Sequence, residues 1–265
     1  MANSPSHATL DYSARDRVAY AAFARPDLQN SLTEQALDDI NDVVARVQAD
    51  HQLRTLVLRG QGEAFSVGLD PELMAAAFAD LEYYEHVLTR VAATCLSLEA
   101  LDVPVIAAVN GTASAAGFEL ALACDLIVIS DEALIGDGGG VFGRVPGGGA
   151  TVRLPRTVGV QHAREIVYSA RMMTGTEAAA IGLALRSVPS GELDATVDAI
   201  AASFASRSRR ALATAKRQIN GGLGLDTPSG VEHERSEFIK YLREPGSDAI
   251  EGFNAEQEKR PPSWA

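Results

Sequence analysis

The run from Pro104 to Ser130, PVIAAVNGTASAAGFELALACDLIVIS, constrains the fold more than any other stretch. Two apolar, β-branched segments, Val105 to Val109 and Leu126 to Ile129, flank a turn of very small residues and a short helical pattern. That order predicts a buried strand, a helix and a second strand. Between Asn110 and Gly117 almost every side chain is tiny, so a ligand can approach the backbone closely. The first N–H groups of the following helix have no partner within it, and such a turn can hold an oxyanion. Glu119 falls in the first helical turn and is the only acidic residue between Asp102 and Asp125, which makes it the first candidate for a catalytic carboxylate.

The rest of the chain predicts an α/β core followed by helices. Ala8 to Tyr12 and Val18 to Phe23 read as a hairpin; Ser31 or Thr33 can cap a helix carrying Leu37, Ile40, Val44 and Val47 on one face. Leu53 to Leu58 reads as a buried strand, followed by a glycine-rich loop to Asp70 that can present another free N–H before a helix starting at Pro71. Leu81 to Leu101 is a long helical pattern. The glycine-rich stretch 136–149 suits no packed helix, and from Gln161 onward helical segments are expected near 161–170, 176–182, 193–206, 208–220 and 229–243, with one strand at Ala184 to Val188. The expected organisation is a core over 1–190 and a helical region over 191–265.

Composition narrows the function classes. A net charge of −12 and a pI near 4.9 disfavour nucleic acid as a partner. No apolar run is long enough for a membrane span, the first residues lack a signal-peptide pattern, and Cys95 and Cys124 form neither a metal spacing nor a disulfide framework. A cytoplasmic setting with no metal and no membrane partner is the expectation. Asp125 reads as a turn residue, Asp70 as a helix cap, and the formal G-x-G-x-x-G match at Gly138–Gly143 lacks the flanking elements of a dinucleotide site.

Three stretches in this order, Ala64-Phe-Ser-Val-Gly-Leu-Asp70, the Pro104 to Asp125 run and Val145-Pro-Gly-Gly-Gly149, resemble the enoyl-CoA hydratase/isomerase (crotonase) superfamily over nearly the whole chain; the tail Glu251-Gly-Phe…Glu-Lys-Arg-Pro-Pro262 is similar too. The resemblance implies a crotonase-like ββα spiral with a C-terminal helical oligomerisation region, assembled as a homotrimer or dimer of trimers. It implies an acyl-CoA substrate, with CoA carried as part of that substrate and no separate cofactor. By position the thioester oxygen falls between the backbone N–H groups of Leu69 and Ala116, donors worth about 2.7–4 kcal/mol each in a transition state. Arg25, Phe65, Asp70 and Gly117 are expected along the substrate and its CoA, and Lys259 with Arg260 at a CoA phosphate on a neighbouring subunit.

Two departures from the pattern matter. Three glycines are usual where this chain has Ala115-Ala116-Gly117, and the second of two glutamates falls, counting back from Pro146, on Gly139. Only Asp137, two residues earlier, is available as a second acid. The implied activity is therefore a poor or atypical hydratase, with isomerase, decarboxylase, thioester hydrolase and β-diketone hydrolase chemistry as alternatives inside the superfamily. A catalytically silent CoA-binding or scaffold protein is the alternative outside it.

Overall fold

The computed structural model describes residues 9–264. Strands β1 (Leu10–Arg15) and β2 (Val18–Phe23) form the expected hairpin; Ala8, where the sequence reading starts it, lies outside the described residues. Helix α1 (Glu34–Ala49) follows, capped by the Thr33 hydroxyl, which accepts the Ala36 N–H. Then come β3 (Thr55–Gly60), β4 (Ala64–Ser66), α2 (Pro71–Ala79), α3 (Leu81–Ala100), β5 (Val105–Val109), β6 (Thr112–Ser114), α4 (Ala116–Ala123), β7 (Leu126–Ser130) and β8 (Leu134–Gly136). The second half holds α5 (Ala150–Ser169), β9 (Met173–Thr174), α6 (Gly175–Ala180), β10 (Arg186–Val188), α7 (Leu193–Ala205), α8 (Arg209–Gly222), α9 (Thr227–Arg243) and α10 (Asp248–Gln257).

Successive turns of the chain each place one strand in a large sheet, one short strand in a small sheet, and then a helix. The large sheet runs β1-β2-β3-β5-β7-β10 and is parallel apart from the hairpin; the small one runs β4-β6-β8-β9. Strands β3 and β5 are apolar almost throughout because both faces of the large sheet are covered. Leu56, Leu58, Val105, Ala107 and Val109 join the main core, whereas Val57, Ile106 and Ala108 pack beneath Leu193, Val197 and Ala201 of α7.

Three departures from the sequence reading have clear causes. The strands of the small sheet are two or three residues long, too short to show alternation. Helix α5 starts at Ala150 rather than Gln161: Pro155 lies within it, and Gly159, at φ 78°, takes up a kink that joins two helical pieces. The glycine-rich stretch holds one 3₁₀ turn, Gly139–Phe142, and α10 is an additional helix at the C-terminal end.

Buried cations tie the C-terminal helices to the core. Arg209, at the start of α8, donates to the carbonyls of Val47 and Gln48 at 3.0 Å each and to that of Asp50, so it caps the C-terminal end of α1. Lys216, on α8, donates to the carbonyls of Leu98 (3.0 Å) and Val103 (3.3 Å) and to Asp125 Oδ2 (2.7 Å). Asp125 also accepts the Val105 N–H at 2.7 Å, which pins the start of β5. Burial pushes the Asp125 carboxyl upward, and Lys216 opposes that push. Lys216→Met leaves this carboxylate without its cation; because Asp125 is only partly shielded, the expected loss is at the lower end of the about 3–5 kcal/mol for breaking a buried pair, read as a fall in unfolding midpoint in urea.

Candidate active site

The loops that leave the ends of β4, β6 and β8 meet, because these three strands are parallel neighbours and their carboxyl ends share one edge of the small sheet. Ala115 N–H donates to the Asp137 carbonyl at 3.0 Å, and Ser114 Oγ donates to the Val67 carbonyl at 3.1 Å, so the three loops are stitched together. Two glycines allow the close approach. A Cβ on Gly117 would stand 2.0 Å from the Ser66 carbonyl oxygen, and one on Gly68 would stand 3.1 Å from the Ala116 nitrogen.

This junction leaves two amides facing outward. Leu69 forms a parallel bridge with Leu32 in which the neighbouring Gly68 carbonyl and Asp70 N–H make the bonds, so the Leu69 N–H points the other way. Ala116 is the first residue of α4, where an N–H has no intrahelical acceptor. Among the described residues neither amide has a hydrogen-bond partner. Both residues line a cavity of about 130 Å³, which Glu119, Asp137, Gly139 and Arg144 also line.

Ala115 holds the turn at φ 48°, ψ −124°, a conformation suited to glycine. The positive φ falls one residue before the Ala116 donor, so the strain sits beside the donor amide and not at it. Ala115→Gly relieves the Cβ clash of about 1–2 kcal/mol but adds freedom to the unfolded chain, so a net stabilisation of about 0.5–1 kcal/mol is expected in chemical denaturation.

Glu119 is buried at 4% exposure, and its Oε1 accepts the N–H groups of Gly148 (2.7 Å) and Ala150 (3.1 Å). A Cβ on Gly148 would come within 2.6 Å of Oε2, so the Pro-Gly-Gly-Gly loop wraps the carboxylate only because position 148 is glycine. Burial pushes the Glu119 carboxyl above its ordinary range; the two N–H bonds oppose this, and the nearby Asp137 charge adds to it. Asp137 is also buried, with Oδ2 accepting the Gly139 N–H at 3.1 Å; burial pushes it upward too, against that bond and the charge of Arg144.

Sequence reasoning missed two residues here. Arg153 on α5 grips Glu99 (Nε to Oε1, 2.6 Å) and the Gly148 carbonyl (2.8 Å), so it fixes the loop that holds Glu119. Arg144 lines the cavity itself. No local pattern signals either role, since the partners of Arg153 lie on another element and Arg144 sits in an irregular loop.

The remaining candidates fall elsewhere. Asp70 caps α2 through the Glu72 N–H (3.0 Å) and also accepts from Ser31 Oγ and Arg25, each at 3.0 Å. Burial opposes those bonds, yet together they hold its carboxyl below the ordinary range. Arg25 is thus engaged by Asp70 and by the Ser31 carbonyl (2.8 Å). Phe65 is fully buried, edge-on to Phe23 in the core, and Gly117 lies inside α4 against Ser66. Lys259 is exposed just beyond α10 and does not line the cavity. Among the described residues no group of His, Cys, Asp and Glu is arranged to hold a metal ion, and no helix is long and apolar enough to cross a membrane.

Comparison with known proteins agrees with this architecture. The enoyl-CoA hydratase/isomerase family model matches residues 13–265. A probable mitochondrial enoyl-CoA hydratase of Dictyostelium discoideum is 33% identical over 250 residues, covering 94% of this chain and 88% of that protein. The human mitochondrial methylglutaconyl-CoA hydratase is 32% identical over 241 residues, covering 89% of this chain and 70% of that protein. The crystal structure of an enoyl-CoA hydratase from Bacillus anthracis superposes with a TM-score of 0.90 at 30% identity, covering 97% of this chain and 98% of that one. Spiral and sequence together define an acyl-CoA enzyme of the crotonase superfamily. Within it, the chain belongs to the enoyl-CoA hydratase/isomerase family.

Proposed function

We propose that this enzyme binds an acyl-CoA thioester with its carbonyl oxygen between the Leu69 and Ala116 N–H groups, and that Glu119 and Asp137 move protons beside the resulting enolate. The observation that carries the reading is one cavity lined by two unpartnered amides and two buried carboxyls. Fixed N–H donors in a dry site stabilise negative charge as it develops on the thioester oxygen, and they need no reorganisation to do so. A carboxyl raised above its ordinary range is a better proton donor and acceptor near neutral pH.

Water addition needs one carboxylate to hold the water and a second acid to deliver a proton to the adjacent carbon. Position 139, which the family resemblance assigns to the second group, is glycine. Asp137 is a methylene shorter than glutamate, stands two residues earlier and has one oxygen tied to the Gly139 N–H. The pair therefore suits proton removal and return on the acyl chain, as in a double-bond shift, and hydration is slow. Calorimetric titration with short acyl-CoA esters, followed by mass spectrometry of products and of α-proton exchange in D₂O, tests this. Exchange and isomerisation that outpace hydration support it; binding without exchange or turnover identifies a silent CoA-binding protein instead.

A further inference from the structure

Arg144 is the cavity residue that this chemistry leaves unused. Among the described residues its guanidinium makes no hydrogen bond and no ion pair, although it lies over the Phe142 ring at 5.2 Å from the centroid. The ring supports the planar group without consuming any of its N–H donors. Besides Arg144, Tyr84 and the two carboxyls, the cavity is lined by apolar side chains, among them Val67, Leu69, Met74 and Val145. On a chain of net charge −12, a cation with all its donors open beside two carboxyls is an uncommon investment.

Resting on the acyl-CoA reading above, the geometry points to Arg144 as the residue that selects a short acyl group ending in a carboxylate. The CoA phosphates lie a whole pantetheine chain from the thioester, whereas Arg144 shares the cavity of the two amides that face the thioester oxygen, so the anion it meets belongs to the acyl group. The cavity measures about 130 Å³; a void of roughly 150 Å³ holds one benzene, so an acyl group of about five carbons fits within it. The planar fork of the guanidinium matches a carboxylate bidentately, and a hydrogen-bonded charge pair of this kind is expected to improve binding by about 10- to 100-fold over a methyl terminus.

The test compares three ligands by calorimetry: glutaryl-CoA, valeryl-CoA and free CoA, which share a nucleotide and differ only at the acyl end. Wild type is expected to bind glutaryl-CoA at least about tenfold more tightly than valeryl-CoA. In Arg144→Met the ratio is expected to fall to about one, and Arg144→Lys to retain part of it, since the charge survives but the fork does not. Arg144 is half-buried in an irregular loop and makes no side-chain hydrogen bond among the described residues, so the variants are expected to fold, and a thermal melt of each checks it. Equal affinity of wild type for the two acyl esters overturns the assignment of Arg144 alone. A parallel loss of free-CoA binding in Arg144→Met also overturns it, because the arginine then reads the CoA phosphates. Failure of all three ligands to bind overturns the acyl-CoA reading itself.

Discussion

Glu119→Gln is expected to lower α-proton exchange and turnover by about 10²–10⁴-fold while leaving the fold at least as stable as wild type at pH 7. The two effects separate because the side chain has two jobs on two atoms. Oε1 accepts the Gly148 and Ala150 N–H groups, and a glutamine carbonyl can accept both. Proton transfer needs the carboxyl, which glutamine lacks. The stability half follows from the direction of the pKa shift. Burial raises the folded-state value, so the folded chain holds this proton more tightly than the unfolded one. The contribution of the group to stability is then fully present below the ordinary carboxylate range and is lost as pH rises through the folded value. As pH rises from 4 to 7 wild type increasingly bears the cost of ionising a buried carboxyl that Glu119→Gln does not bear, so the variant gains on wild type over that interval. Melting curves at the two pH values, beside exchange rates in D₂O, check both halves. A variant that loses activity only by unfolding would reduce Glu119 to an anchor for the Pro-Gly loop.

How much of this was legible in the sequence depends on how local the physics is. The start of α4 just before Glu119, the Asp70 cap of α2 and the strands β3, β5 and β7 follow from a turn, a cap or an apolar run read within a few residues. The small sheet was not legible, although it builds the site, because strands such as β4 and β6 are defined by their neighbours and not by their own pattern. Long-range ion pairs are hidden for the same reason. Lys216 meets Asp125, and Arg153 meets Glu99, only after the spiral has closed. Position 115 shows the limit from the other side: the sequence marks an alanine where glycine is usual, but only the backbone shows that Ala115, and not Ala116, carries the positive φ.

Gly139→Glu should raise crotonyl-CoA hydration by at least about tenfold and up to the 10²–10⁴-fold that a positioned acid can supply. The backbone permits the change, because Gly139 lies in a 3₁₀ turn outside the left-handed region, unlike its neighbour Gly138 at φ 66°. Space is tight but not closed: a Cβ at 139 meets Asp137 Oδ2 at 3.1 Å, on a side chain that can turn away, and Arg144 Cβ at 3.4 Å, an ordinary van der Waals contact. The new carboxyl would stand beside Asp137, and two acids so close do not both ionise readily, which leaves one protonated as hydration requires. Glu119 would then hold the water opposite that acid. Loss of the enoyl absorbance is the measurement, with Glu119→Gln/Gly139→Glu as the control. The gain must vanish in the double variant if the two carboxyls act together. Rapid hydration by wild type, unchanged on adding the glutamate, would show that Asp137 already serves as the second acid for water addition and that the glycine at 139 costs the enzyme nothing.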